Sequence, residues 1–122
     1  MKDFCIIGSG ISGATIANSL SKKYSLDVYD KARGVGGRSS NKKLNKNESF
    51  DHGVQYISPK SIQFKSFIKD LINKKIVKNW LGRHLFLNTD KKEDKKHIKI
   101  IGKKGNNAIS KYLLKDINCN FS

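Results

Sequence analysis

Gly8-Ser9-Gly10-Ile11-Ser12-Gly13 has the GxGxxG spacing and follows the short apolar run Phe4-Cys5-Ile6-Ile7. In that position each glycine has a task. Gly8 permits a tight turn off a strand, Gly10 lets a pyrophosphate approach the bare backbone, and Gly13 lets a helix pack close to the sheet. The helix start offers unpaired N–H groups and a partial positive charge to phosphate oxygens. Asp30 lies 20 residues beyond Gly10, where a carboxylate can accept hydrogen bonds from ribose hydroxyls and would repel a 2′-phosphate. A glycine turn that only joined a strand to a helix would not need this acid. NAD and FAD share the pattern, so the residues that choose between them must lie downstream.

The next segment is Asp30-Lys31-Ala32-Arg33-Gly34-Val35-Gly36-Gly37-Arg38-Ser39. Gly36-Gly37 lets the backbone pass close to a ligand, and Arg38 supplies a fixed positive charge that can fork onto a phosphate. An acid, a short spacer and Gly-Gly-Arg resemble the corresponding stretch of FAD-dependent amine oxidases. Phe50-Asp51-His52-Gly53-Val54-Gln55-Tyr56 resembles the Asp-x-Gly-Ala-Gln-Tyr segment of the renalase-like branch of that superfamily, with Val54 in place of the usual Ala. Gly105-Asn106-Asn107-Ala108-Ile109 resembles the helix start that returns the family's chain from the substrate region to the cofactor domain. The resemblance extends from Asp3 to Phe121.

This resemblance implies FAD as cofactor, with NAD(P) as substrate or alternative ligand. It also implies hydride transfer from an amine or a dihydropyridine to the flavin. The cofactor-binding set is then Gly8, Ser9, Gly10, Ile11, Ser12, Gly13, Asp30, Lys31, Gly37, Arg38, Val54, Gln55 and Tyr56. By resemblance, Val54–Tyr56 would lie beside the isoalloxazine ring. No residue can be assigned as an essential acid or base. His52 has no carboxylate at a meaningful spacing, so it is expected to be structural or solvent-exposed; His84 and His97 show no metal-ligand pattern, so structural roles are expected for both.

The elements that must position these residues follow from periodicity. Residues 4–7 are continuously apolar, as in a strand buried on both faces of a parallel sheet. Ile11, Ala14, Ala17 and Leu20 recur at helical spacing to about Lys23. Leu26–Asp30 is a second strand, completing a βαβ unit. A short strand is expected within Arg38–Leu44 and a strand or strand end over Phe50–Ser58. Ser58-Pro59 has the form of a helix cap and first position, and Phe64, Phe67, Ile68, Leu71 and Ile72 predict a core-facing helix over 59–73. Ile76–Leu81, His84–Asn88 and His97–Ile101 predict an antiparallel meander. Ala108, Ile109, Tyr112 and Leu113 predict a further helix, and 118–122 the beginning of another strand.

The expected class is therefore α/β, a Rossmann-like FAD/NAD(P)-binding βαβ unit with an incomplete parallel sheet and a small β meander plus helix. Residues 1–58 and 102–122 form the cofactor portion, and 59–101 the start of a substrate-domain-like insertion. At 122 residues the chain is short for the family, whose members run to two or three domains. A fragment, a truncated product or one half of a split enzyme is expected, completed by a complementary C-terminal polypeptide. A non-catalytic remnant or interaction subunit is the competing reading.

Composition bounds the remaining classes. Hydrophobic residues make up 37% and charged residues 29% of the chain, which is polar but not of the disordered type. No apolar run approaches the ~18 residues of a membrane span, and the first residues do not read as a signal peptide, so a cytoplasmic location is expected. Cys5 should behave as a small buried hydrophobe. Neither Cys5 nor Cys119 has a metal-ligand or CxxC neighbour. The net charge of +15 invites a nucleic-acid partner. However, the basic residues are lysines except for Arg33, Arg38 and Arg83, they are dispersed, and Lys- and Asn-rich composition also follows from AT-rich codons. Charge alone therefore does not carry that reading.

Overall fold

The computed structural model describes residues 1–82 and 98–122. The first apolar run forms β1 (Phe4–Ile7), and the glycine turn leads into α1 (Ile11–Leu20), followed by β2 (Leu26–Asp30). A 3-10 turn at Gly37–Ser39 precedes a small hairpin of β3 (Asn41–Lys43) and β4 (Ser49–Asp51). Then come α2 (Ile62–Asn73), β5 (Val77–Asn79), β6 (Ile100–Gly102), α3 (Ala108–Leu113) and β7 (Asn118–Phe121).

The principal sheet is parallel with strand order β1-β2-β7. Its register pairs Ile6 with Val28 and Val28 with Cys119. The last strand is thus a full parallel partner of β2. Parallel neighbours require crossovers. Here α1 supplies the first, and α3 ends the long return to β7. The two helices pack against each other, and Asn18 Nδ2 donates to the Leu113 carbonyl at 2.9 Å. The fully buried Ala14 and Ala17 present the small side chains that allow this approach. Leu26, Val28, Ile109 and Leu113 join them in a core that continues through Ile68, Leu71, Val77 and Ile100. Each fully buried aliphatic side chain contributes roughly 1.5–3 kcal/mol.

Strand β1 departs from the expected two-sided burial. Phe4 and Ile7 are 41% and 80% exposed, and Cys5 is exposed rather than packed as a hydrophobe. The strand lies at the edge of the sheet, and among the described residues no element covers the face that carries Cys5 and Ile7. An apolar run reports an affinity for burial, and a covering layer must exist to satisfy it.

The second helix also begins later than its sequence suggests. Ser61, not Ser58, is the N-cap, and its Oγ accepts from the Phe64 amide at 3.2 Å. Pro59 lies outside the helix, and Ser58 Oγ instead donates to the Ile98 carbonyl. Ser61-x-x-Phe64 places the acceptor one turn closer to the buried Ile68 and Leu71, so the apolar stripe selects this cap. At its other end the helix closes with Ile76 donating to Leu71 and Lys75 to Ile72, both at 2.9 Å. Lys75 takes the left-handed conformation, φ 58°, that this cap requires.

In the expected meander, β5 and β6 pair antiparallel, Lys78 opposite Ile101. The run His84–Asn88, the charged segment 90–96, Arg83 and His97 lie outside the described residues. The stretch expected as a strand over Phe50–Ser58 is strand only at Ser49–Asp51, with an isolated bridge from Ile57 to Ile100. Side-chain hydrogen bonds replace a ladder between these points.

Candidate functional site

The glycine turn is built by close contact. The Gly8 amide donates to the Tyr29 carbonyl at 2.7 Å, tying the end of β1 to β2, and Gly8 has φ 99°, a conformation that strains any side chain. A Cβ on Gly13 would lie 1.9 Å from the Gly8 carbonyl oxygen. The helix can therefore sit against the turn only with glycine there. The helical ladder starts with Ala14 donating to Gly10 at 2.9 Å. First-turn amides ahead of it have no acceptor within the helix. No side chain caps this end and no acidic residue occupies its first turn.

The second glycine pair closes over this turn. Gly36 donates to the Ser9 carbonyl at 3.1 Å, and Gly37, φ 52°, passes so near that a Cβ on it would meet Gly10 Cα at 3.2 Å. Arg38 follows, exposed at the rim. Its carbonyl accepts from the Val54 amide at 3.0 Å, and a Cβ on Gly53 would lie 2.1 Å from that same oxygen. Three distant segments thereby meet at one open cleft of about 550 Å³. Of the residues expected to bind cofactor, Gly8, Gly10, Ile11, Ser12, Gly13, Gly37, Arg38 and Val54 line it.

Asp30 and Lys31 line a neighbouring hollow of about 250 Å³ at the carboxyl ends of β2 and β7, and Ile7 borders both spaces. Ser9 is fully buried between them. Its amide and hydroxyl both donate to Asp30 Oδ2, at 2.7 and 2.5 Å, and the Ala32 amide donates to Oδ1 at 2.9 Å. The Ser9 hydroxyl, followed by the Ala32 and Ser9 amides, holds the Asp30 carboxyl below its ordinary pKa, so it is an anion at neutral pH. A carboxylate has about four acceptor positions. Three are taken by protein, which leaves Oδ1 one acceptance for a ligand hydroxyl.

Gln55 and Tyr56 line neither space. The Gln55 carbonyl is held by Asn106 at 3.1 Å. The Tyr56 ring lies 5.9 Å from Trp80, with the Lys99 ammonium 5.0 Å from its centroid. His52 is exposed and its Nε2 lies 3.0 Å from Ser40 Oγ.

Asn106 was not expected in the site and organises one wall of it. It is 1% exposed. Nδ2 donates to the Val54 and Gln55 carbonyls at 2.7 and 3.1 Å, Oδ1 accepts from Gly102 at 2.8 Å, and its amide donates to Asp51 Oδ1 at 2.8 Å. Asn107 donates to the Val35 carbonyl at 3.3 Å, just ahead of the glycine pair. Two adjacent amide side chains at the head of α3 thus fasten both walls of the cleft. The motif Gly105-Asn106-Asn107 was visible in the sequence, but the carbonyls it serves lie about 50 and 70 residues away.

Glycine turn, helix start, strand-end acid and parallel sheet together define a dinucleotide-binding α/β domain. The family model described as NAD(P)-binding Rossmann-like domain matches residues 6–71, and the chain belongs to that family. It is also similar to prenylcysteine oxidase 1 of Bos taurus, 36% identical over 70 residues that cover 54% of this chain and 13% of the relative. Among solved structures it is similar to a double mutant of putrescine oxidase from a redesign of cofactor binding, with TM-score 0.52 and 26% identity over 68% of this chain. A triple mutant of the same oxidase gives 0.51 and 25%, also over 68%. The chain spans about 18% of the putrescine oxidase chains and 13% of prenylcysteine oxidase 1. No helix among the described residues is long and apolar enough to cross a membrane.

Proposed function

We propose that this chain is the FAD-binding N-terminal part of a flavin-dependent oxidoreductase of the amine oxidase superfamily, renalase-like in its Gly53-Val54-Gln55-Tyr56 segment. Its substrate would be an amine or a dihydropyridine, and further polypeptide would complete the active site. The observation that carries this reading is the convergence of the Gly8–Gly13 turn, Gly37-Arg38 and Val54 on one cleft. Arg38 adds a second cationic contact beyond the helix start, which suits the long pyrophosphate bridge of an extended FAD. The oxidase relatives support the same direction.

In this assignment the first-turn amides of α1 and the Arg38 guanidinium hold the pyrophosphate. Asp30 Oδ1 accepts from the adenosine ribose, and Val54 borders the flavin end. The bound flavin supplies the redox chemistry, and this chain's residues bind, orient and shield it. A nicotinamide dinucleotide is the second reading, favoured by the family description of the matching domain.

The test is to purify the chain alone and together with the polypeptide encoded downstream, then record flavin absorbance and titrate added FAD and NAD. Retained or acquired FAD is expected, with Arg38→Ala and Asp30→Ala each weakening binding roughly 10- to 100-fold, the range for a hydrogen bond to a charged group. A colourless complete protein that takes up no FAD overturns the proposal. Saturable binding of NAD without FAD would replace it with the second reading.

A further inference from the structure

A cationic grouping lies away from the dinucleotide cleft, around Tyr112. Lys75 at the end of α2, Lys103 and Lys104 after β6, and Lys111 and Lys115 on and beyond α3 border an open cleft of about 470 Å³, with Ile76, Ala108 and Tyr112 as its half-buried apolar wall. A sixth lysine, Lys74, holds its ammonium 5.3 Å from the Tyr112 ring centroid, and Lys115 holds its own at 5.4 Å. Two carboxylates answer them among the described residues. Asp116 lies 3.7 Å from Lys115, and Asp70 acts on Lys74. Both residues of the first pair are well exposed, at 61% and 83%, so that pair contributes little.

These lysines come from three separated parts of the sequence and are brought together by the fold. Like charges bordering one cleft repel one another, so a multivalent anion relieves that repulsion and releases counterions. Lysine acts as a mobile point charge rather than a planar fork, which suits a chain of phosphates presented in any orientation. The volume falls within the roughly 300–1,000 Å³ of small-ligand sites, and its concave form suits a compact ligand better than a flat bilayer. An apolar wall beneath a cationic rim matches a ligand with a flat body and several phosphates.

We propose that the Tyr112 basin binds a polyphosphorylated small molecule with the size and charge of a nucleoside triphosphate. The basin shares no lining residue with the dinucleotide cleft or the Asp30 hollow, so the proposal does not rest on the FAD reading. The polyphosphate chain is the recognised chemistry, and the arms of the test separate a nucleotide from inorganic polyphosphate.

The experiment is calorimetric titration of the full chain with inorganic tripolyphosphate and with GTP at about 0.15 M salt. Saturable one-site binding is expected, weakening as salt rises. Tighter binding of GTP than of tripolyphosphate marks the nucleotide as the source, and equal or weaker binding marks inorganic polyphosphate. The double variant Lys104→Gln, Lys111→Gln should lose about tenfold in affinity, while Lys42→Gln, Lys43→Gln on β3 should lose less than about twofold, as expected if local rather than net charge matters. Circular dichroism checks that both variants fold. Four results overturn the proposal: no saturable binding of either probe, equal losses in the two double variants, displacement of the probe by excess FAD, or preference for long oligonucleotides with affinity rising with their length.

Discussion

Gly13 and Asp30 hold opposite kinds of constraint. At Gly13 the constraint is volume, since a methyl group would lie 1.9 Å from the Gly8 carbonyl oxygen. Gly13→Ala should therefore lower the stability measured by urea unfolding by about 1–3 kcal/mol, the usual cost of overpacking, despite the ~1 kcal/mol gained from helix propensity. An unchanged urea midpoint would mean that the turn can relax away from the helix. At Asp30 the constraint is charge. Its folded pKa is depressed below 3.8, first by the Ser9 hydroxyl and then by the Ala32 and Ser9 amides. Its contribution is therefore fully present above the unfolded value and is lost as pH falls through the lower folded value. The urea midpoint of Asp30→Asn should lie below wild type at neutral pH, and the two curves should converge under acid. Asp3 and Asp27 are shifted the same way by Ser25 and by Asn118, so both proteins keep some acid slope.

At the scale of elements, α2 shows how a cap and a stripe compete to place a helix end. Two serines, Ser58 and Ser61, precede the same apolar repeat, and the Pro59 signal favours the first. The structure uses Ser61 because its Oγ reaches the Phe64 amide while Ile68 and Leu71 remain in the core. Ser61→Ala should cost about 1 kcal/mol, and Ser58→Ala less than about 0.5 kcal/mol. Equal losses in chemical denaturation would return the cap to Ser58. The element after β4 teaches a related lesson. Val54–Tyr56 has strand-like composition, yet Asn106 takes the Val54 and Gln55 carbonyls, and this keeps the segment against Arg38 instead of in a ladder.

For the molecule as a whole, the parallel sheet presents its nucleotide end as a junction of loops from several parts of the chain, so occupancy should be felt throughout. On the proposed FAD reading, cofactor at a hundredfold its dissociation constant stabilises the fold by about 2.7 kcal/mol. For a domain of this size that is a rise in Tm of about 10 °C. Differential scanning fluorimetry with added FAD, against NAD at equal concentration, measures it. A larger shift with NAD would favour the nicotinamide reading. The exposed face and edge of β1 belong to this scale too, because they depend on which layers surround the sheet rather than on the strand itself.

The residues alone were enough to place the βαβ unit, the tight turn at Gly8, the close helix packing at Gly13, the acid at the tip of β2 and the core stripe of α2. All of these follow from local spacing and from side-chain volumes acting over one or two turns of chain. Tertiary structure decided the exposure of Cys5 and Ile7, the choice of Ser61 over Ser58, and the service of Asn106 to carbonyls about 50 residues distant. It also placed Tyr56 beside Trp80 and Lys99, outside the cleft, and gathered dispersed lysines around Tyr112. Each of these depends on which distant backbone or side chain arrives beside a residue, and periodicity along the chain carries no record of that.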